Sequence, residues 1–158
     1  MMTTAWTPDT RQVGIALLLI RIAAGLAFIY HGASILFGAF GGPGVAGFAA
    51  HNHFPLWVAY LVGLAQFCGG VSILTGIVAR LGALAILPVM AGAIYLVHWQ
   101  HGFEVIKGGM EYALTQALIA LAILVAGAGP YSLVTLMRPA ARPIETDTRT
   151  PTSPAQTT

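Results

Sequence analysis

The chain has 158 residues, 57% of them hydrophobic and 8% charged, with a mean hydropathy of +0.80. A soluble domain carries about 25% charged residues, so most of this surface must face lipid rather than water. The net charge of +2 is thinly spread, with no basic run or stripe to follow a phosphate backbone, and this argues against a nucleic-acid partner.

Residues 1–12 read as a short cytoplasmic segment. The first apolar stretch is Val13–Phe37. It is longer than the core of a signal peptide (about 7–15 residues) and Arg21 interrupts it, so it reads as a retained helix. Arg21 costs about 2.5–3.5 kcal/mol at a helix centre. Either it snorkels to the membrane face, or it turns inward to partner helices or an anionic ligand. Gly25, Phe28 and Gly32 follow it at helical spacing and favour the interior. His31 closes the stretch. A glycine-rich connection, 38–55, follows; it can fold back over the mouth of the helices, and His51 and His53 read as solvated loop residues.

The second stretch, Leu56–Val78, carries Gln66 between Gly63 and the pair Gly69-Gly70. Small residues let helices approach and an amide bonds across their interface; a ligand contact is the alternative. Cys68 reads as a small packing residue, and one thiol alone cannot form an intramolecular disulfide. After a minimal connection the third stretch, Leu81–Trp99, forms a tight antiparallel hairpin with the second. Pro88 with Gly92 predicts a kink. Tyr95 belongs by default to an interfacial aromatic belt with Trp57, Tyr60, Trp99 and Tyr131. Tyr95 is also counted among the candidate ligand contacts. His98 ends the stretch at the depth of His31; His101 reads as solvated.

Glu111 and Tyr112 open the fourth stretch, Tyr112–Met137, at the same level. Glu111 gains from the helix dipole there, or pairs with His31 or His98. The tail, 138–158, is rich in Pro and Thr and reads as disordered and cytoplasmic.

A helix needs about 20 apolar residues to cross a bilayer. The four stretches therefore predict one all-α domain over 13–137: an integral membrane four-helix bundle, up-down antiparallel and multi-pass in the inner (plasma) membrane. Basic residues flank the amino terminus, the second connection and the tail, which places both termini in the cytoplasm. The polar groups then gather in the outer half. His31, His98 and Glu111 are the candidate catalytic groups. Arg21, His31, Gln66, Tyr95 and His98 are the candidate contacts to a bound molecule. No metal site is expected, because no His-x-x-x-His, Glu-x-x-His or Cys-x-x-Cys-His spacing is present.

The pieces Arg21-x-x-x-Gly25-x-x-Phe28-x-Tyr30-His31-Gly32, Gly63-x-x-Gln66-x-x-Gly69-Gly70, and His98 followed by Gly108-Gly109-Met110-Glu111-Tyr112 and Gly127-x-Gly129-x-Tyr131-Ser132, stand in one order over nearly all of 14–132. In this the chain resembles the DoxX family of small membrane proteins. The resemblance implies a four-helix bundle linked to redox metabolism, with a quinone as suspected cofactor. It also implies an association with thiosulfate:quinone oxidoreductase or with membrane complexes of soluble oxidoreductases. Members often carry Glu where this chain has Gln66, which removes the acid that a proton or cation role would use. The reading is thus a membrane redox subunit that binds a quinone or similar small molecule. The alternatives are a scaffold for an oxidoreductase partner or a small transporter; glycine-rich faces are equally suited to a homo-oligomer.

Overall fold

The computed structural model describes residues 9–137. The expected tail (138–158) and most of the amino-terminal segment lie outside the described residues.

Every regular element among the described residues is helical. Helix α1, Thr10–Phe37, starts at a capping box: the Asp9 carboxylate accepts from the Arg11 amide, and Gln12 Oε1 accepts from the Asp9 amide at 3.1 Å. Gly38, left-handed at φ 65°, ends it. The first connection is not a plain loop. It forms a 3₁₀ turn at Ala39–Gly41 and a short helix α2, Gly44–Asn52, packed on α1 and on α3. Tyr30 stacks on Phe40 at 4.8 Å and pins this segment down.

Helix α3, Leu56–Thr75, turns through Gly76 into α4, Ala79–Gly92, as the expected hairpin. Cys68 is exposed on α3, not packed as anticipated. At the turn Val78 sits at φ 46°, a region β-branched residues rarely adopt. A left-handed conformation costs a non-glycine residue about 1–2 kcal/mol, and glycine in the unfolded chain offsets part of that. Val78→Gly should therefore stabilise the protein by about 1 kcal/mol, seen as a higher unfolding midpoint in detergent.

Beyond Pro88 the α-geometry gives way to a π-turn at Ala93–His98 and a 3₁₀ turn at Trp99–His101. Pro88 lies inside α4 without ending it, and the change of helix type comes at Ala93. Helix α5 spans Glu111–Ala126 and a short α6 spans Leu133–Met137. The continuous fourth span expected from Tyr112 to Met137 is not formed. Gly127 (φ 79°) and Gly129 (φ 72°) break it ahead of Pro130. Three helical stretches, Thr10–Phe37, Leu56–Thr75 and Ala79–His101, are long and apolar enough to cross a membrane; Glu111–Ala126 is shorter.

The packing divides the molecule into two ends. Toward the end bearing Gly76 and Gly127, the core is filled by Ala24, Phe28, Ile73, Ala83, Ile86, Ala120 and Ile123. Small residues carry the close approaches. A Cβ on Gly70 would lie 2.7 Å from the Ile29 amide nitrogen, and one on Gly82 would lie 2.8 Å from the Gly69 carbonyl oxygen. The backbones of α1 with α3, and of α3 with α4, therefore touch. Toward the other end, where His31 and His98 lie, a chamber is left between the helices.

Candidate functional site

The chamber has a volume of about 740 Å³, within the usual range for small-molecule sites of roughly 300–1,000 Å³. Helix α1 contributes Phe28, His31 and Ile35, and α3 contributes Val62, Ala65 and Gln66. Helix α4 and the π-turn after it contribute Val89, Met90, Ala93, Leu96 and His98. Tyr112 and Ala113 come from α5, while Phe48, Asn52 and Phe54 reach over from α2 and the turn after it. The first connection thus reaches over the chamber, as its glycine content anticipated. The wall on this side includes the point where α4 passes into the π-turn.

The wall is apolar apart from a few groups with free hydrogen-bonding capacity. Gln66 is 7% exposed, and its amide faces the chamber with no partner among the described residues. His31 lies beside Tyr112, ring centroids 5.9 Å apart, and its nitrogens are likewise without a partner among the described residues. His98 differs. Its Nδ1 lies 2.6 Å from the Gly108 carbonyl oxygen. A carbonyl only accepts, so Nδ1 carries the proton and Nε2 of the neutral ring is an acceptor. Asn52 donates from Nδ2 to the Phe48 carbonyl at 2.9 Å and keeps its Oδ1. One helical turn from Tyr112, Gln116 is buried, and its Oε1 has no partner. A polar molecule or ordered water next to the Tyr112 turn would satisfy that atom.

Two expected contacts, Arg21 and Tyr95, and one expected catalytic group, Glu111, are placed off the chamber wall. Arg21 is 1% exposed and does not line the chamber. Its Nε donates to the Ile73 carbonyl and Nη2 to that of Leu74, both at 2.8 Å. Nη1 donates to Ala128 at 2.8 Å and to Tyr131 at 3.0 Å. These carbonyls belong to the last turn of α3, where helical partners run out, and to the segment after Gly127. The guanidinium therefore caps one helix and ties down a loop, away from the chamber wall. Tyr95 is 73% exposed and off the wall. Glu111 accepts from the Val105 amide at 3.1 Å and pairs with neither histidine among the described residues. It closes a loop instead of tuning an imidazole.

Of the expected site residues, His31, Gln66 and His98 share the chamber. Tyr112 and Asn52 were not anticipated there. The placement of Tyr112 one level with His31 was the signal for the former. His51 lies in α2 rather than a loop, and the His101 Nδ1 sits 3.2 Å from the Val97 carbonyl oxygen, to which it donates.

A model of the DoxX family matches residues 16–99, slightly more than half of the chain. The chain belongs to the DoxX family. No curated protein matches it, and no solved structure does either. The matched segment of this DoxX protein carries most of the chamber wall, including His31, Gln66 and His98, and the Arg21 cap with its partners on α3. Tyr112, Ala113 and Glu111 lie beyond it. Membership makes this a membrane protein and suggests association with oxidoreduction.

Proposed function

We propose that this DoxX protein is an integral membrane subunit of a redox system and holds the head group of a quinone in its chamber. The reading is supported by one observation above all: Gln66 and His31 present unpartnered polar atoms to an otherwise apolar space. A quinone accepts hydrogen bonds at both carbonyls, and the quinol donates from both hydroxyls. Gln66 has donors and an acceptor on one amide and suits either redox form. His31 and the Tyr112 hydroxyl likewise donate or accept. His98 accepts at Nε2, which suits a quinol hydroxyl and offers a place for the proton that leaves on oxidation. Electrons and two protons added to a quinone give the quinol; the chain's contribution is to bind, to orient and to exchange those protons at His31 and His98. The electron donor belongs to a partner or to a soluble substrate such as thiosulfate.

In this reading α5 with α6 completes a fourth crossing, and the histidine end faces away from the cytoplasm. Arg11 and Arg80 stand at the opposite end, where the positive-inside rule puts the cytoplasm of an inner membrane. Both termini then lie on that side.

The test is equilibrium binding of decylubiquinone to the purified protein in lipid nanodiscs. Gln66→Leu and His31→Ala should each weaken binding by about tenfold, the equivalent of one lost hydrogen bond to a buried group, without shifting the unfolding midpoint downward. Absence of saturable binding by the unaltered protein defeats the proposal. A second reading, a membrane scaffold for an oxidoreductase, is favoured by the loop before α5. There Phe103, Val105 and the 96%-exposed Ile106 offer apolar surface. It expects a partner enzyme to co-purify in fixed ratio and to be lost with Ile106→Asp.

A further inference from the structure

The exposed residues of the chamber wall fall into groups of different character. On α3 and α4 they are Leu61, Ala85, Pro88 and Leu96, all apolar. Leu61 and Leu96 are 57% and 61% exposed. Across the chamber, where α1 meets α5, they are His31 and Tyr112. Helices α3 and α4 touch closely at Gly69 and Gly82, yet beyond that point the chamber lies between them. Two backbone features lie along this stretch: Pro88 has no amide hydrogen to return to Leu84, although α4 continues to Gly92, and the α-geometry is replaced by a π-turn over Ala93–His98. From Ala85 to Leu96 the apolar rim runs about 16 Å along the helix at roughly 1.5 Å per residue. In a bilayer such a rim meets acyl chains, not water.

We infer that the chamber is loaded sideways from the bilayer through this slot. Its occupant is a single-tailed amphiphile whose tail leaves across the α3–α4 rim and whose head lies toward His31 and Tyr112. The inference rests on the quinone-class reading of the chamber and adds the direction of entry and the pose. Among the described residues the wall carries no Lys or Arg. A phosphate or carboxylate head would enter a low-dielectric space without a counter-ion, so the head is uncharged. The wall's polar groups are amide, imidazole and hydroxyl, matched to a head with carbonyl or hydroxyl oxygens. The tail needs no polar partner, and the α3–α4 rim supplies none.

Photolabelling of the unaltered protein in phosphatidylcholine vesicles tests this directly. One probe is decylubiquinone with a diazirine at the end of its tail; the other is a tailless ubiquinone with a diazirine on the ring. The adducts are mapped by mass spectrometry, with and without excess unlabelled decylubiquinone. Tail adducts are expected at Leu61, Ala85 and Leu96, and ring adducts at His31 and Tyr112, both suppressed about tenfold by the competitor. Competed tail adducts on the α1–α5 side would overturn the pose and slot while leaving the head site standing. If neither probe gives competed adducts, the slot falls together with the quinone reading. As a second measurement, Ala85→Trp narrows the exposed rim at a position that tolerates bulk. It should weaken decylubiquinone about tenfold and change tailless ubiquinone by less than about twofold. Equal loss of both ligands would overturn lateral loading.

Discussion

Arg21→Ala should lower stability by about 3–5 kcal/mol, because it leaves buried backbone carbonyls without their charged donor. Among the described residues the side chain makes four hydrogen bonds, each to a backbone carbonyl, and none to an acid. Interhelical hydrogen bonds in membranes average about 0.6 kcal/mol and reach about 1.7, so four of them give a sum of that order. Two further effects act in the same direction. The carbonyls of Ile73 and Leu74 end α3, and the guanidinium is the positive charge that a helix carboxyl end favours. The unfolded but inserted chain must also place the bare cation in lipid without these partners. Arg21→Lys should recover less than half of the loss. An ammonium is a compact donor and cannot span carbonyls contributed by α3 and by the 128–131 segment together. Unfolding midpoints in mild detergent measure both variants. Phe28, the nearest chamber residue on α1, is about 10 Å farther along the helix. Under conditions where Arg21→Ala stays folded, decylubiquinone affinity should therefore hold within about twofold, as for independent sites. An affinity loss without a stability loss would place Arg21 at the ligand and contradict its role as a cap.

Much of this arrangement is legible in the residues, and the remainder fails for identifiable reasons. Apolar length located one end of α1 and of α3 and came within three residues of the other, because lipid leaves the backbone no other choice. The depth argument put His31 and His98 at one level, and both reach the chamber. Gly25 and Gly32 marked the face of α1 that meets α3. Arg21 was expected to turn inward to partner helices or a ligand; its partners are carbonyls 52 to 110 residues away along the chain, which no local pattern announces. Helix α2 was hidden by its glycines, which read as turn. Conversely Gly127 and Gly129 sit in an apolar run whose length argued for a helix, while their left-handed backbone ends it. Tyr95, by default a belt residue, is exposed as that role asks and lies off the chamber wall.

Glycines also carry the second large effect, and here the sign depends on what a methyl group would meet. A Cβ on Gly32 would press on the Phe67 backbone, 2.7 Å from its Cα, as well as on its amide nitrogen. Neither helix can yield locally, since α1 and α3 share a long interface with a second backbone contact at Gly70 and Ile29. In lipid that interface has no hydrophobic driving force to fall back on; it is held by close packing. Gly32→Val should therefore separate the helices and cost about 3 kcal/mol or more, at the upper end of overpacking penalties. It should leave the protein aggregated or unfolded in detergent that the unaltered protein tolerates. Gly92 is the matched contrast. It is helical (φ −61°), and an added Cβ there meets nothing within 4 Å. Gly92→Ala should gain about 0.5–1 kcal/mol from helix propensity alone. Opposite shifts of the unfolding midpoint would tie stability to the α1–α3 backbone contact rather than to glycine content. A stable Gly32→Val protein would mean that α1 and α3 do not meet at Phe67, and the chamber they help to enclose would lose that wall.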